Sequence, residues 1–408
     1  MYDFSFIVAS RNDNHGGNMR EKNQFFINRW INHVKKYNLN CELIIVDWNS
    51  KVPLRKILKS SLLKNNQIVK IIEVSNQIHK KFQNSKKINF FQMIAKNVGA
   101  RRANGKFLIF TNIDIIFSEV FFYYLKNNIN KNETIYRADR HDFDLKNLKN
   151  YEILEDKIKK LTTHIHKKNY SYDIKKNKKY YLRKTIIYIL KYTYIGIIDL
   201  IKSFFKFIID FIVNLLKFSI NFIRNLLKLD IKKILIDLKL LKGLFNLNNL
   251  KTLFDKKLHT NAFDLKLFKG IFYLNNLKTL FDKKLHTNAC GDFTMIDKQS
   301  FYKMKGYYEF DGFSWHIDSL LLFKAYYYLK LNFINLNFPI YHINHEPGKK
   351  YSTKGKISIK KMEKNKLNVI NDQQLLKLIN NYRLNKFEED DKKINWGLSK
   401  EKLPIHTI

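Results

Sequence analysis

At 408 residues the chain exceeds the usual size of a single core, so one catalytic domain carrying an insertion or appendage is expected. The formal net charge of +39 first raises nucleic-acid binding, which needs Lys and Arg gathered on one face. The excess is mostly Lys spread along the whole chain with no nucleic-acid-reading motif, so nucleic acid is excluded as a partner while attraction to anionic lipid stays open. Only Cys41 and Cys290 occur, without metal-ligand spacing, and Met1 to Val8 runs straight into a strand-like segment with no signal-peptide pattern. A cytoplasmic protein is expected, peripheral on the inner face of the cytoplasmic membrane if the lipid attraction operates.

In chain order, Phe4 to Ala9, Leu43 to Asp47, Val69 to Val74 and Phe107 to Ile113 are short apolar runs of the kind that form buried parallel strands. Phe26, Trp30, Ile31, Val34 and Tyr37 fall at helical spacing between the first two runs, and Met93 to Ala103 supplies a helix before the fourth. This alternation predicts an α/β fold, a mixed Rossmann-like sheet flanked by helices, over residues 1–145. Ligands of such sheets bind beyond the carboxyl ends of the strands. The polar residues found there are Ser10, Asn12, Asp47 and the run Thr111-Asn112-Ile113-Asp114.

Residues 146–284 change character to Lys, Ile, Leu and Phe. Asp199, Lys202, Lys206, Asp210, Asn214, Lys217, Asn221, Arg224 and Lys228 recur every three or four positions among apolar residues, predicting long helix with a narrow polar stripe and a wide apolar face. No apolar stretch is long enough to span a membrane. Residues 185–240 fit a helix lying in a membrane interface, and they equally fit one whose face packs on the catalytic domain or on a second subunit. Asp237 to Ala262 recurs almost unchanged 27 residues later, ending at Ala289. Two copies are fewer than a solenoid needs, so the repeat reads as a tandem duplication whose second copy alone joins the segment beginning at Cys290. Residues 285–348 return to mixed apolar and polar patterning, with an apolar helix from Ser319 to Tyr328 and a strand-like Phe333 to Ile340; residues 349–408 form a Lys- and Asn-rich tail, with helical periodicity at Leu375, Leu378 and Ile379 and no assigned function.

Chemistry concentrates at the fourth strand. Lys96-Asn97-Val98-Gly99-Ala100-Arg101-Arg102-Ala103-Asn104-Gly105 allows a helix to lie close to the sheet, Gly105 ends it, and the next strand delivers Asp114 to the ligand-binding edge. A carboxylate there can hold a divalent cation that bridges two phosphates. The order of a strand, Asp47, Asn97-x-Gly99-x-x-x-Ala103-x-Gly105, an apolar strand and Asp114 resembles the donor-binding half of GT-A-fold glycosyltransferases, in particular the family-2-like group.

That resemblance implies a nucleotide diphosphate sugar as donor, with Ser10, Asn12, Asp47, Asn97 and Asn112 toward the donor and Asp114 toward Mn²⁺ or Mg²⁺. The triplet Asn112-Ile113-Asp114 stands where the group carries a DxD motif, so the first acid is replaced by an amide. It further implies that Asp318, opening a helix after Trp315-His316-Ile317, is the base that deprotonates the acceptor hydroxyl; as a residue alone, Asp318 also suits a helix cap. Asp292 and Trp315 are placed toward a glycan or glycolipid acceptor, and His342 or His345 as a further metal ligand. The charged segment Tyr136 to Asp142 either positions sugar or diphosphate or is an ion-pair cluster. The activity so implied is metal-dependent, inverting sugar transfer in cell-surface polysaccharide or glycolipid synthesis. A sugar nucleotidyltransferase and a non-catalytic membrane-associated binding protein are the alternatives.

Overall fold

The computed structural model describes residues 1–13, 19–58, 68–128, 130–144, 155–168, 170–181, 285–344, 367–386 and 395–407, with 205–206, 208–210, 212–224, 227, 233 and 236. The chain divides into two units, Met1–Leu182 with Lys283–Ile408, and Arg183–Asp282. The first unit opens with β1 (Tyr2–Ser10), α1 (Met19–Lys36), β2 (Cys41–Trp48), α2 (Leu54–Ile57), β3 (Val69–Val74), α3 (Asn76–His79), α4 (Gln92–Arg101) and β4 (Gly105–Thr111). β1, β2 and β4 are buried along almost their whole length, which is why they read as unbroken apolar runs. Next come β5 (Ile115–Ile116), α5 (Glu119–Asn127), β6 (Thr134–Arg137), β7 (Arg140–Phe143), α6 (Glu155–Leu161), β8 (Thr162–His166), β9 (Tyr170–Asp173) and β10 (Lys178–Tyr181). After the second unit the chain supplies β11 (Phe293–Asp297), α7 (Lys298–Lys303), α8 (Ile317–Tyr327), β12 (Asn332–Asn335), β13 (Ile340–Ile343), α9 (Asp372–Arg383), a 3-10 turn at Trp396–Leu398 and β14 (Ile405–Thr407).

An eight-stranded sheet runs in the order β12-β6-β11-β4-β1-β2-β3-β14. β1 is parallel to both β2 and β4, and β11 is antiparallel to both β4 and β6. The molecule is therefore an α/β protein with mixed sheets and flanking helices. Because β1 leads to β2 on one side and pairs with β4 on the other, the strand order reverses at β1. A crevice opens at such a reversal, beyond the carboxyl ends of the strands.

A six-stranded sheet in the order β10-β9-β8-β7-β13-β5 lies in the same unit. The single strand expected over Phe333 to Ile340 is two: β12 pairs with β6 in the first sheet and β13 with β7 in the second. Pro339, which has no amide N–H to give a ladder, stands in the link between them. His342 consequently lies within β13 rather than after a strand. β8, β9 and β10 belong to this sheet, so the separate unit begins later than the change in composition at Lys146 suggests.

Phe6 is fully buried at the centre of the main core, with the rings of Trp30, Phe117, Phe121 and Phe122 at 5.5–6.4 Å. Each such side chain contributes about 1.5–3 kcal/mol by leaving water. α4 rests on the opposite face of β1, so closely that a Cβ on Gly99 would stand 2.6 Å from Ile7 Cγ2. The C-terminal segment is part of this packing. β14 pairs with β3, covering an edge that would otherwise present unpaired backbone groups, and Arg102 donates to the carbonyls of Gly397, Leu398 and Glu401, each at 3.0 Å.

In the second unit, residues 208–210, 212–224 and 227 are helical, as the periodicity predicts. Among the described residues no helix is long and apolar enough to cross a membrane. The first repeat copy, Asp237 to Ala262, lies outside the described residues; the end of the second, Leu285 to Ala289, is described within the first unit.

Candidate active site

The strand reversal gathers the carboxyl ends of β1, β2 and β4. On the β1–β2 side the expected donor residues have internal partners. Ser10 Oγ donates to Asn23 Oδ1 at 3.1 Å in a buried pair. Asp47 accepts from the Ser50 hydroxyl and, at 2.7 Å, from the Leu54 N–H that opens α2. Burial pushes its carboxyl up to about 6, against those two hydrogen bonds. The Asn12 N–H donates to Ser50 Oγ at 2.7 Å and its side-chain amide to Val52 O at 2.8 Å, tying the β1 loop to the β2 loop. Asn97 is fully buried, donating to Tyr307 O and Glu309 Oε1 and accepting from Tyr307 N–H. Its amide stitches α4 to a segment more than 200 residues on, so Asn97 braces the site from within instead of facing a ligand. Ser10 and Asp47 likewise shape the loops.

On the β4 side the expected residues converge. Asn112 accepts from Gln92 Nε2 at 3.0 Å and donates to Asp292 Oδ1 at 2.7 Å. Asp292 Oδ2 is paired with Arg140, whose Nε also reaches Asp142 Oδ1 at 2.7 Å. β5 begins one residue after Asp114, and β13 pairs with β5 and β7 so that His342 stands opposite Ile115 and Asp142. His342 Nε2 is 3.5 Å from Asp114 Oδ2 and its Nδ1 is 3.3 Å from Asp142 Oδ1. The other Asp142 oxygen lies 2.9 Å from His166 Nε2.

The electrostatics follow from this chain of alternating charge. Burial alone would raise the Asp142 carboxyl, but hydrogen bonds from His166 and His342 and the Arg140 charge hold it well below the usual carboxylate range. Burial would lower His342, but Asp114 and Asp142 raise it to about 10. The imidazole therefore carries its proton at neutral pH, lodged between two carboxylates.

Lys96 closes the other wall. It is fully buried and donates from Nζ to Gly291 O at 2.6 Å. Burial lowers its ammonium to about 8, opposed by the charges of Asp292, Asp318 and Asp114. Asp318 sits in the first turn of α8 and accepts from Ser319 N–H at 2.8 Å. A Cβ on Gly291 would stand 3.0 Å from Asp318 Oδ2, so Gly291 leaves that oxygen its room. Burial first, then Asp318, keeps the Cys290 thiol protonated, well above its ordinary range. Trp315, half-buried, precedes His316, whose left-handed backbone (φ 67°) turns the chain into α8.

Asn112, Asp114, Asp292, Asp318 and His342 thus belong to one polar cluster, with Lys96, Arg140, Asp142 and His166 as its further members. Of these, Arg140 and Asp142 fall in the charged segment that stands out in the sequence. Lys96 heads the Asn97 run without a role of its own there, and His166 lies in a polar strand that carries no local signal. His345 lies outside the described residues.

Among the described residues no group of three His, Cys, Asp or Glu side chains is arranged to hold a metal ion. Beside Asp114, His342 offers a nitrogen ligand only as the neutral imidazole, and in that form the pair would suit a cation taking its remaining ligands from phosphate oxygens and water.

No protein-family model matches the chain, and no characterised protein matches it. Among solved structures, the crystal structure of a mycobacterial protein matches at 10% identity with a TM-score of 0.21, over 35% of this chain and 41% of that one. The chain spans less than half of that structure, and so low a score says nothing of activity.

Proposed function

We propose that the protein is a glycosyltransferase of GT-A-like fold that moves a sugar from a nucleotide diphosphate sugar to an acceptor hydroxyl with inversion. The observation that carries this reading is the meeting of Asn112 and Asp114, from the end of β4, with Asp292 and His342, and with Asp318 beside Gly291, all of which lie far along the chain beyond a separate unit. They meet at the strand reversal, where open α/β sheets bind ligands.

In this reading Asp114 and, as the neutral imidazole, His342 would hold Mn²⁺ or Mg²⁺. When bound, the cation neutralises charge on the diphosphate leaving group. Asn112, whose amide is held by Gln92 and Asp292, is assigned to the donor by its place at the end of β4. Arg140 fixes one oxygen of Asp292 and Asn112 the other, and Asp292 and Trp315 are the residues this reading assigns to the acceptor. Asp318 takes the proton of the acceptor hydroxyl as its oxygen bonds to the anomeric carbon and the bond to the diphosphate breaks. The products are the new glycoside, a protonated Asp318 and the nucleoside diphosphate. Surface polysaccharide or glycolipid is the proposed acceptor class, since such substrates are assembled at the cytoplasmic face of the membrane.

The test is nucleoside diphosphate release by the purified chain across a panel of nucleotide sugars with Mn²⁺ or Mg²⁺. Asp114→Asn and Asp318→Asn should each lower turnover by a factor of about 10² or more. Turnover at the unmodified rate in either variant overturns the role assigned to that carboxylate, and release of pyrophosphate instead marks a nucleotidyltransferase.

A further inference from the structure

The helical part of the second unit leaves a continuous apolar stripe in water. Ile209, Ile212, Leu216, Ile220, Ile223 and Leu227 follow one another at steps of 3, 4, 4, 3 and 4, and each is at least half exposed, Leu227 by 81%. Such steps keep all six side chains on one face of an α-helix. Six exposed large aliphatic side chains in a row are a contiguous patch, unlike the scattered apolar residues of an ordinary surface.

The flank of the stripe says what covers it. Lys206, Asp210, Lys217 and Arg224 share the neighbouring face and are exposed, three cations to one acid. A second copy laid on the stripe would bring like charge against like charge, in a chain already at +39. A bilayer with anionic headgroups accepts the aliphatic side chains into its acyl boundary and sets the Lys and Arg heads against phosphate. Lys and Arg stems can lie along the apolar surface while the charged ends reach the headgroups.

We infer that this stripe, Ile209 to Leu227 with the Lys206, Lys217 and Arg224 flank, is a docking surface for an anionic lipid bilayer, on which the helix lies in the plane of the interface. This surface is independent of the transfer chemistry proposed above, and its test reads binding alone.

The experiment is co-flotation of the full chain with vesicles of phosphatidylcholine alone or with one-third phosphatidylglycerol. Leu216→Asp/Ile220→Asp is the matched variant; both positions are exposed, so circular dichroism of the variant should overlay the parent. The chain should float with the anionic vesicles, and the variant should bind them at least about tenfold more weakly. Equal binding of parent and variant overturns the inference in favour of diffuse attraction by the surplus lysines. Failure of the parent to float overturns it as well, as does a parent dimer in light scattering that the variant abolishes, since that assigns the stripe to a second copy.

Discussion

Replacing Arg140 with methionine keeps the aliphatic stem and removes only the guanidinium. That group is paired with Asp292 and, at 2.7 Å, with Asp142, and all three side chains are at most 19% exposed. At an effective dielectric near 20, one pair at contact distance is worth about 4 kcal/mol before desolvation is deducted. Breaking a buried pair by removing one partner costs about 3–5 kcal/mol, because the remaining charge stays uncompensated. Here the two carboxylates retain other donors: Asn112 for Asp292, and His166 and His342 for Asp142. The expected loss is therefore at the lower end, about 3 kcal/mol. Urea unfolding followed by tryptophan fluorescence is the assay, because Trp30, Trp48, Trp315 and Trp396 all lie in the first unit. Adding Asp292→Asn to Arg140→Met should restore more than about 1 kcal/mol, since the stranded charge is gone. A loss below about 1 kcal/mol, the worth of a surface pair, refutes the claim that Arg140 holds the site together.

Asp47 titrates in the folded protein near 6 against a usual 3.8, so its share of stability is fully present below 3.8 and is lost as pH rises through 6, about 3 kcal/mol in all. Asp47→Asn should flatten that part of the stability profile between pH 4 and 6; an unchanged slope refutes it. Lys96 is shifted the other way, to about 8 from 10.5, so stability should rise with pH between those values and Lys96→Met should remove that rise, read by thermal unfolding in the same buffers. Gly397 has φ 66°, and a Cβ there would stand 2.6 Å from Arg101 Cγ and 2.7 Å from Asn97 O. Gly397→Ala should therefore cost about 2 kcal/mol or more through overpacking and left-handed strain, and a variant within about 0.5 kcal/mol of the parent would show that the C-terminal turn does not brace α4.

How far these features were legible in the sequence depends on where each residue's partner sits. β1, β2 and β4 are buried on both faces, and β3 at all but Lys70 and Glu73, so burial itself writes the apolar runs that reveal them, and Asp114 follows directly from the end of the last run. The second sheet follows a different logic. β7, β8 and β9 are built from Arg140, Asp142, His164, His166 and Asp173, polar residues that satisfy one another across strands, so they show no apolar period and read as charged loop or insertion. β14 has three residues, too few for any period, and is held as a strand by pairing with β3.

Asn97 shows the limit most clearly. Its place in a helix of small residues beside a ligand-binding strand end suits donor contact, yet both ends of its amide are taken by Tyr307 and Glu309, and Gly397 N–H shares Glu309 with it at 2.6 Å. No spacing within α4 announces partners 210 residues away. The same long-range closure makes the β4 cluster informative. Asp292 and His342 reach Asn112 and Asp114 only because β11 runs antiparallel to β4 and β13 pairs with β5, so the two halves of the site are assembled by strand pairing across the separate unit. A change that loosens β11 or β13 should therefore disturb the site together with the core it shares with β1 to β4, since Phe293, Met295 and Ile340 pack in that core.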